Sequence, residues 1–257
     1  MVGESGPQRG SPDLHRLDIV DADTWAEAAA GLIAERAADA IARRGQCLLA
    51  LSGGSTPRPM FDALAAMDLP WDKVVILQVD ERLVPSHSPD RNLIDQRAAF
   101  AALPAVWLPF PVDEVLAEGL PPEAGPGEPP PAIVETSSAM ATFAERLRTL
   151  ADDPPILDVV HLGLGDDGHT ASLFPDDPAM FELRQAVAIT GQQKGNRRLT
   201  LTRSVLDRAR SVIWLVRGQD KAPALGRLLA GDLTIPAGVL RPAQSVVVAD
   251  TTAARQG

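Results

Sequence analysis

The chain has 257 residues, 45 % of them hydrophobic, which suits one large α/β domain or two small ones with a real core. A net charge of −10, 4 % aromatics and no tyrosine argue against nucleic acid, which needs a basic face and stacking platforms. No apolar run approaches the roughly 20 residues that span a bilayer, and the single cysteine, Cys47, excludes an internal disulfide framework and fits a reducing cytoplasm.

Residues 1–13 are polar and rich in glycine and proline, with neither a basic start nor an apolar stretch. They read as a frayed N-terminus without a signal peptide, ahead of a single α/β domain over 14–257. Helical spacing runs over 22–44, with Trp25, Leu32, Ile33, Ala37 and Ile41 on one stripe and Gly45 as the stop. Residues 47–51 read as a short buried strand. Thr56 and Pro57 then open a second helix, as N-cap and first helical position. A strand over 74–79 leads into a polar loop over 80–91 and a helix near 93–103. The stretch 117–131, rich in Pro, Gly and Glu, reads as a surface excursion. A helix near 135–151 returns the chain to a strand at 157–162. Strands follow at 185–189, 198–202 and 211–216, then a helix from about 220 to 230 and a last strand at 245–249. Strands alternating with helices imply a mostly parallel, Rossmann-like central sheet covered on both faces. The segments on the two sides of the excursion are expected to complete the same sheet.

Three motifs carry chemistry. The loop Ser52-Gly53-Gly54-Ser55-Thr56-Pro57 lies between a strand and a helix, where close backbone approach, outward N–H groups and hydroxyl donors make an anion cradle. It lacks the P-loop spacing, so ATP is not suggested. The cluster Asp80-Glu81-Arg82 ends an apolar strand and suits a polar pocket floor, with Arg82 facing either a phosphate or a neighbouring acid. The third runs from Gly163 to Pro175 and delivers one histidine, His169, past the carboxyl end of a strand. Its Gly163-x-Gly165-x-x-Gly168 spacing formally matches a dinucleotide fingerprint, but Asp166 and Asp167 would repel a pyrophosphate and Pro175 comes too early for a long helix. The better reading makes His169 a general base, Asp167 its orienting carboxylate and the glycines the means of close approach. His161 reads as a packed core residue, and Ser172 is given no chemistry. His15 and His87 lie in polar stretches without a ligand constellation, so a structural zinc site is not expected. Arg197, Arg198 and Lys221 supply positive charge near strand ends.

Taken together these blocks resemble the 6-phosphogluconolactonase family. The resemblance rests on residues 52–57, on Asp80-Glu81-Arg82 and on Gly165-Asp166-Asp167-Gly168-His169-Thr170-Ala171-Ser172-Leu173-Phe174-Pro175. Asp90-x-Asn92, Arg198-Leu199-Thr200-Leu201-Thr202 and Lys221-Ala222 add to it, over about 22–249. It implies the fold shared with glucosamine-6-phosphate deaminases and hydrolysis of 6-phospho-D-glucono-1,5-lactone in the oxidative pentose phosphate pathway, without metal or organic cofactor. It further implies His169 as base assisted by Asp167. Substrate contacts are implied from Ser52, Gly53, Gly54, Ser55, Thr56, Asp80, Arg82, Gly168, Arg198 and Lys221. Two departures stand out. Gln192-Gln193-Lys194-Gly195-Asn196-Arg197 replaces a proline-rich approach to the Arg198 strand, which leaves Lys194, Arg197 and Arg198 as alternatives for the phosphate. Asp90-Arg91-Asn92 replaces the usual Asp-Ser-Asn.

On this reading, backbone N–H groups of a glycine-rich loop hold the oxyanion while His169 activates water. The expected partner is a small sugar phosphate, with the chain cytoplasmic and a monomer or weak homo-oligomer. Two other readings stand beside it: a glucosamine-6-phosphate deaminase-like isomerase, and a non-catalytic sugar-phosphate sensor. Against the isomerase, Ser172-Leu173-Phe174-Pro175 lacks an Asn-Glu pair and Glu81 is followed by Arg82 in place of an aromatic.

Overall fold

The computed structural model describes residues 14–120 and 137–255. In chain order the first half runs β1 (Arg16–Val20), α1 (Trp25–Arg44), β2 (Cys47–Leu51), α2 (Arg58–Ala65), β3 (Val74–Gln78), β4 (Asp80–Arg82), α3 (Asn92–Ala99), β5 (Val106–Leu108) and α4 (Val112–Glu118). The second half runs α5 (Ser138–Ala151), β6 (Val159–Gly163), β7 (Val187–Ile189), β8 (Arg198–Leu201), α6 (Arg203–Arg208), β9 (Ser211–Val216), α7 (Ala222–Leu229), α8 (Pro236–Val239) and β10 (Ser245–Asp250).

Seven strands form one sheet in the order β1-β10-β9-β6-β2-β3-β5, and every pair in it is parallel. The inner strands β2, β3, β9 and β10 are buried along their whole length, which is why they read as unbroken apolar runs instead of alternating ones. Each face of the sheet has its own apolar layer. Ile33, Phe61 and Phe100 lie on one side, and Leu147, Leu206 and Leu225 on the other. The first helix ends as its sequence requires: Gly45 at φ +80° donates its N–H to Ile41 O, after a last turn carrying Arg43 and Arg44.

Several expectations need correction. The strands expected at 185–189 and 198–202 form as β7 (Val187–Ile189) and β8 (Arg198–Leu201), but not in the parallel sheet. β7 and β8 join β4 in a separate antiparallel sheet, ordered β4-β8-β7. Residues 80–82, expected to begin a loop, are therefore strand. Thr56 caps nothing: α2 starts at Arg58, Pro57 occupies its N-cap position, and no side chain caps the turn. The helices near 93–103 and 220–230 are shorter, and α7 is preceded by a 3₁₀ turn over Gln219–Lys221. Residues 1–13 and most of the 117–131 stretch lie outside the described residues, while α4 runs through Glu118. Among the described residues no helix is long and apolar enough to cross a membrane.

Two histidines are buried deep in this frame. His15, expected in a polar stretch, has Nδ1 2.6 Å from Ser245 Oγ and sits edge-on to Trp214. His161 lies on β6. Burial, with Arg241 adding to it, lowers the pKa of His15 from 6.5 to about 4, and burial lowers that of His161 to about 3. Both values are depressed, so the unfolded chain takes up protons first. The stability held by the two neutral rings is complete above pH 6.5 and drains away as the pH falls through the folded values. The loss approaches about 1.4 kcal/mol per pH unit for each ring. Denaturant midpoints should fall from pH 6.5 toward pH 4, and His161→Leu should flatten the slope. A midpoint constant over that range would contradict the account.

Candidate active site

The strand order fixes where a site can form. From β2 the chain moves outward through β3 to β5, whereas β6, β9 and β10 build the other half. The reversal lies between β2 and β6, which pair with Leu51 opposite His161. Open parallel sheets bind ligands at such a switch point, beyond the carboxyl ends of the strands. Four adjacent strands, β9, β6, β2 and β3, send their following loops to this edge: 217–221, 164–175, 52–57 and 79–82.

The loop after β2 begins at Ser52, whose N–H is shared between His161 O at 3.2 Å and His161 Nδ1 at 3.3 Å. Gly53 is required because a Cβ there would collide with the Asn92 side chain. Asn92 is tied in turn by its Nδ2 to Asp80 O at 2.9 Å. Ser55 and Thr56 are exposed at the rim of the cleft.

Between β6 and β7 there is no α-helix, only a 3₁₀ turn over Pro178–Phe181, so the dinucleotide reading fails on structure as well; a bridge between Thr170 and Leu173 closes the turn. The Asp167 carboxylate accepts from His169 twice through Oδ1, from the backbone N–H at 3.0 Å and from ring Nδ1 at 2.5 Å. Burial pushes the Asp167 pKa up, but these two bonds, the ring's charge and Lys194 bring it net below the usual carboxylate range. An ionised Asp167 only accepts, so Nδ1 carries the proton and neutral His169 keeps its lone pair on Nε2. Burial and Lys194 lower the His169 pKa while Asp167 and Asp80 raise it, and the net shift is downward. Gly165 has no room for a side chain, since a Cβ would strike His169 Nδ1 and Asp167 Oδ1. The N–H groups of Gly165 and Gly168 are spent inside the loop, on His169 O and Gly165 O. These two glycines are therefore not free as oxyanion donors.

The small sheet brings the cations. β4 and β8 pair so that Arg82 stands opposite Arg198, a like-charge pairing that costs stability unless offset. Asp80 supplies part of the offset, its Oδ2 3.8 Å from Arg198 Nη1 and accepting from Ser172 Oγ at 2.6 Å. Ser172 thus holds a carboxylate and has no free hydroxyl for chemistry. Arg198 is buried, and burial is the main cause lowering its pKa. Arg82 Nη1 donates to Asp90 O at 2.7 Å. Glu81 does not face the cleft: it is fully buried and holds the start of α3.

These loops enclose a cleft of about 400 Å³ lined by Ser52, Gly53, Gly54, Ser55, Thr56, Asp80, Arg82, His169, Arg198 and Lys221. Asp167 and Gly168 are not in its wall; Asp167 stands behind His169 and Gly168 turns the loop. Of the three alternatives left open by the sequence, Lys194 and Arg198 line the cleft. Arg197 does not, and its Nε donates to Thr190 O at 3.3 Å.

The family model described as glucosamine-6-phosphate isomerases/6-phosphogluconolactonase matches residues 20–249. The chain belongs to this family. Within the glucosamine-6-phosphate isomerase/6-phosphogluconolactonase family, similar relatives include the 6-phosphogluconolactonase of a Synechocystis strain, 39 % identical over 216 residues that cover 82 % of this chain and 83 % of that one. The 6-phosphogluconolactonase of a Nostoc strain is 37 % identical over 221 residues, covering 82 % and 84 %. The fold is likewise that of solved 6-phosphogluconolactonases. The structure from Trypanosoma cruzi superposes with a TM-score of 0.78 at 23 % identity, covering 96 % of this chain and 98 % of that one. The one from Thermotoga maritima gives 0.76 at 21 %, covering 92 % and 100 %.

In this family member the cleft wall also includes residues that sequence reasoning did not select. Arg217 follows β9 directly, with its guanidinium 5.1 Å from the Trp25 ring centre and Nε 4.0 Å from Asp250 Oδ2. His161, expected as plain core, lies beneath the 52–57 loop and lines the cleft while buried. The sequence alone shows only that Arg217 directly follows an apolar strand; its place in the cleft depends on β9 lying beside β6, whose following loop holds His169.

Proposed function

We propose that the chain hydrolyses 6-phospho-D-glucono-1,5-lactone to 6-phospho-D-gluconate, with His169 as general base. The observation that carries this reading is the sharing of one cleft by a carboxylate-oriented neutral imidazole and five cations, Arg82, Lys194, Arg198, Arg217 and Lys221, on a protein of net charge −10. A cleft of about 400 Å³ suits a hexose phosphate.

His169 Nε2 takes a proton from water as the oxygen attacks C1. The protonated ring then returns the proton to the departing ring oxygen, so one group serves as base and acid. Asp167 holds the Nδ1–H tautomer that makes Nε2 the acceptor and stabilises the imidazolium between the two transfers. The Ser52–Thr56 loop, Arg198 and Lys221 bind the phosphate and so turn binding energy into placement of the lactone carbonyl. Lys194 lines the same cleft, with its Nζ 3.9 Å from Asp166 Oδ1, and is our candidate cation for the developing oxyanion.

Arg198→Gln tests the phosphate assignment. A lost charge-assisted contact is worth about 1.5–3 kcal/mol, so KM for the phosphorylated lactone should rise about 10- to 150-fold. KM for unphosphorylated gluconolactone should hardly move. An equal change for both substrates would remove Arg198 from the phosphate site. Release of ammonia from glucosamine 6-phosphate, without lactone hydrolysis, would replace the proposal with the isomerase reading.

A further inference from the structure

We propose that Phe174 is a positioning residue that keeps the base and a phosphate-binding arginine in register through their shared contact with one aromatic ring. The inference rests on the roles given above to His169 and Arg198.

The His169 imidazole stacks on the Phe174 ring with centroids 4.4 Å apart and planes 25° from parallel. The Arg198 guanidinium carbon lies 5.4 Å from the centre of the same ring. Phe174 is 3 % exposed, so its place is fixed by packing. The chain bends to put it there. Ala171 takes φ +49°, Leu173 N donates to Thr170 O at 2.9 Å, and the loop folds back so that a residue five positions on lies against the imidazole. His169 and Arg198 come from different sheets, one after β6 and the other on β8.

Other anchors leave a degree of freedom that this ring removes. Asp167 grips His169 through Nδ1 and the backbone, yet a ring held at one atom can still tilt about that bond. The aromatic face blocks the tilt and so aims Nε2. Arg198 is held to Asp80 only at 3.8 Å, and its Nε has no hydrogen-bond partner among the described residues. The electron-rich face of Phe174 supplies the remaining attraction. The ring also covers one face of the imidazole and keeps water from it. The charged groups about His169 are Asp167 and Asp80, which favour the proton, Lys194, which opposes it, and Asp166, whose carboxylate lies within 4.8 Å of the imidazole and 3.9 Å from Lys194 Nζ; Arg198 lies over the same Phe174 ring.

The test is kinetic. Phe174→Leu keeps an apolar side chain without the flat face; Phe174→Met serves where Leu fails to fold. In either, kcat should fall about tenfold and KM for the phosphorylated lactone should rise several-fold. The acid limb of kcat/KM should move to higher pH as water reaches the imidazole. The increase in KM should be absent when the change is made on top of Arg198→Gln, because it acts through that residue. Phe174→Tyr, which restores the ring, should recover most of the activity. Additive effects on KM, or a lower melting temperature with an unmoved pH profile, would overturn the proposal. The same holds if Phe174→Leu matches wild type while His169→Ala is inactive, an outcome that leaves the proposed function standing. Full turnover by His169→Ala would instead remove the base assignment itself.

Discussion

His169→Ala is expected to remain folded and to bind sugar phosphate, while losing lactonase turnover by about 10²–10⁴-fold, the usual worth of a positioned acid–base group. The fold should tolerate the change because the ring packs at the edge of a cleft and its main carboxylate partner, Asp167, keeps the backbone N–H of residue 169. Phosphate affinity should persist because the five cations of the cleft come from other elements: β4, the β7–β8 connection, β8, and the segment between β9 and α7. The measurement is a coupled assay on freshly generated lactone, corrected for spontaneous hydrolysis, beside a titration with the product. Asp167→Asn adds a second check. An amide presents a donor as readily as an acceptor, so the proton is no longer held on Nδ1 and turnover should drop with little change in KM. The pH profile follows from the same geometry. Burial keeps the His169 pKa below its ordinary value in spite of Asp167 and Asp80, so in wild type the acid limb of activity should lie at lower pH than for a free imidazole. Wild-type rates from His169→Ala would dismiss the mechanism outright.

The parts of this molecule that were legible in its sequence are those whose cause is local. The inner strands announced themselves as unbroken apolar runs, and Gly45 marked the end of α1 by the one conformation it adopts best. That the Ser52–Thr56 loop lines the cleft and that Asp167 pairs with His169 were legible because each involves residues contiguous or nearly so in sequence. What escaped is set by partners far along the chain. β1 and β5 are the two edge strands, partly polar or only three residues long, and each is held by a single neighbour. β7 and β8 looked like any other strands; that β8 pairs antiparallel with β4 on one side and β7 on the other depends on a contact over more than a hundred residues between Arg82 and Arg198. Arg217 is one arginine among many until β9 is known to lie beside β6. His15 sits in a polar stretch of sequence and is nonetheless buried, because Ser245 of β10 reaches it.

Glu81 illustrates the same limit and carries the largest expected effect on stability. A carboxylate just past a strand end reads alike whether it is solvated or sealed in, and here it is sealed. Its Oε1 accepts from the N–H groups of Arg82 and Asn92, both at 2.8 Å. Its Oε2 accepts from Leu93 N at 2.8 Å and Gln78 Nε2 at 2.5 Å, with Arg91 Nε 3.5 Å away. One side chain thus satisfies the first N–H groups of α3, a helix with no cap of its own, and compensates a buried guanidinium. Glu81→Ala orphans these donors together and should cost about 3–5 kcal/mol, the usual loss when one partner of a buried ion pair is removed. Glu81→Gln should recover little, since an amide offers one acceptor oxygen where four donors converge on two. Burial raises the Glu81 pKa in spite of these bonds, and the two statements agree. The first compares a charged with a neutral carboxyl in the same hole; the second compares a carboxyl with nothing. A functional consequence follows, because Asn92 ties α3 to Asp80 O and Arg82 starts from the same anchor. The folded fraction of Glu81→Ala should therefore show a raised KM as well as a lower denaturant midpoint. A variant with wild-type stability would mean that water reaches these N–H groups and that the helix does not depend on this carboxylate.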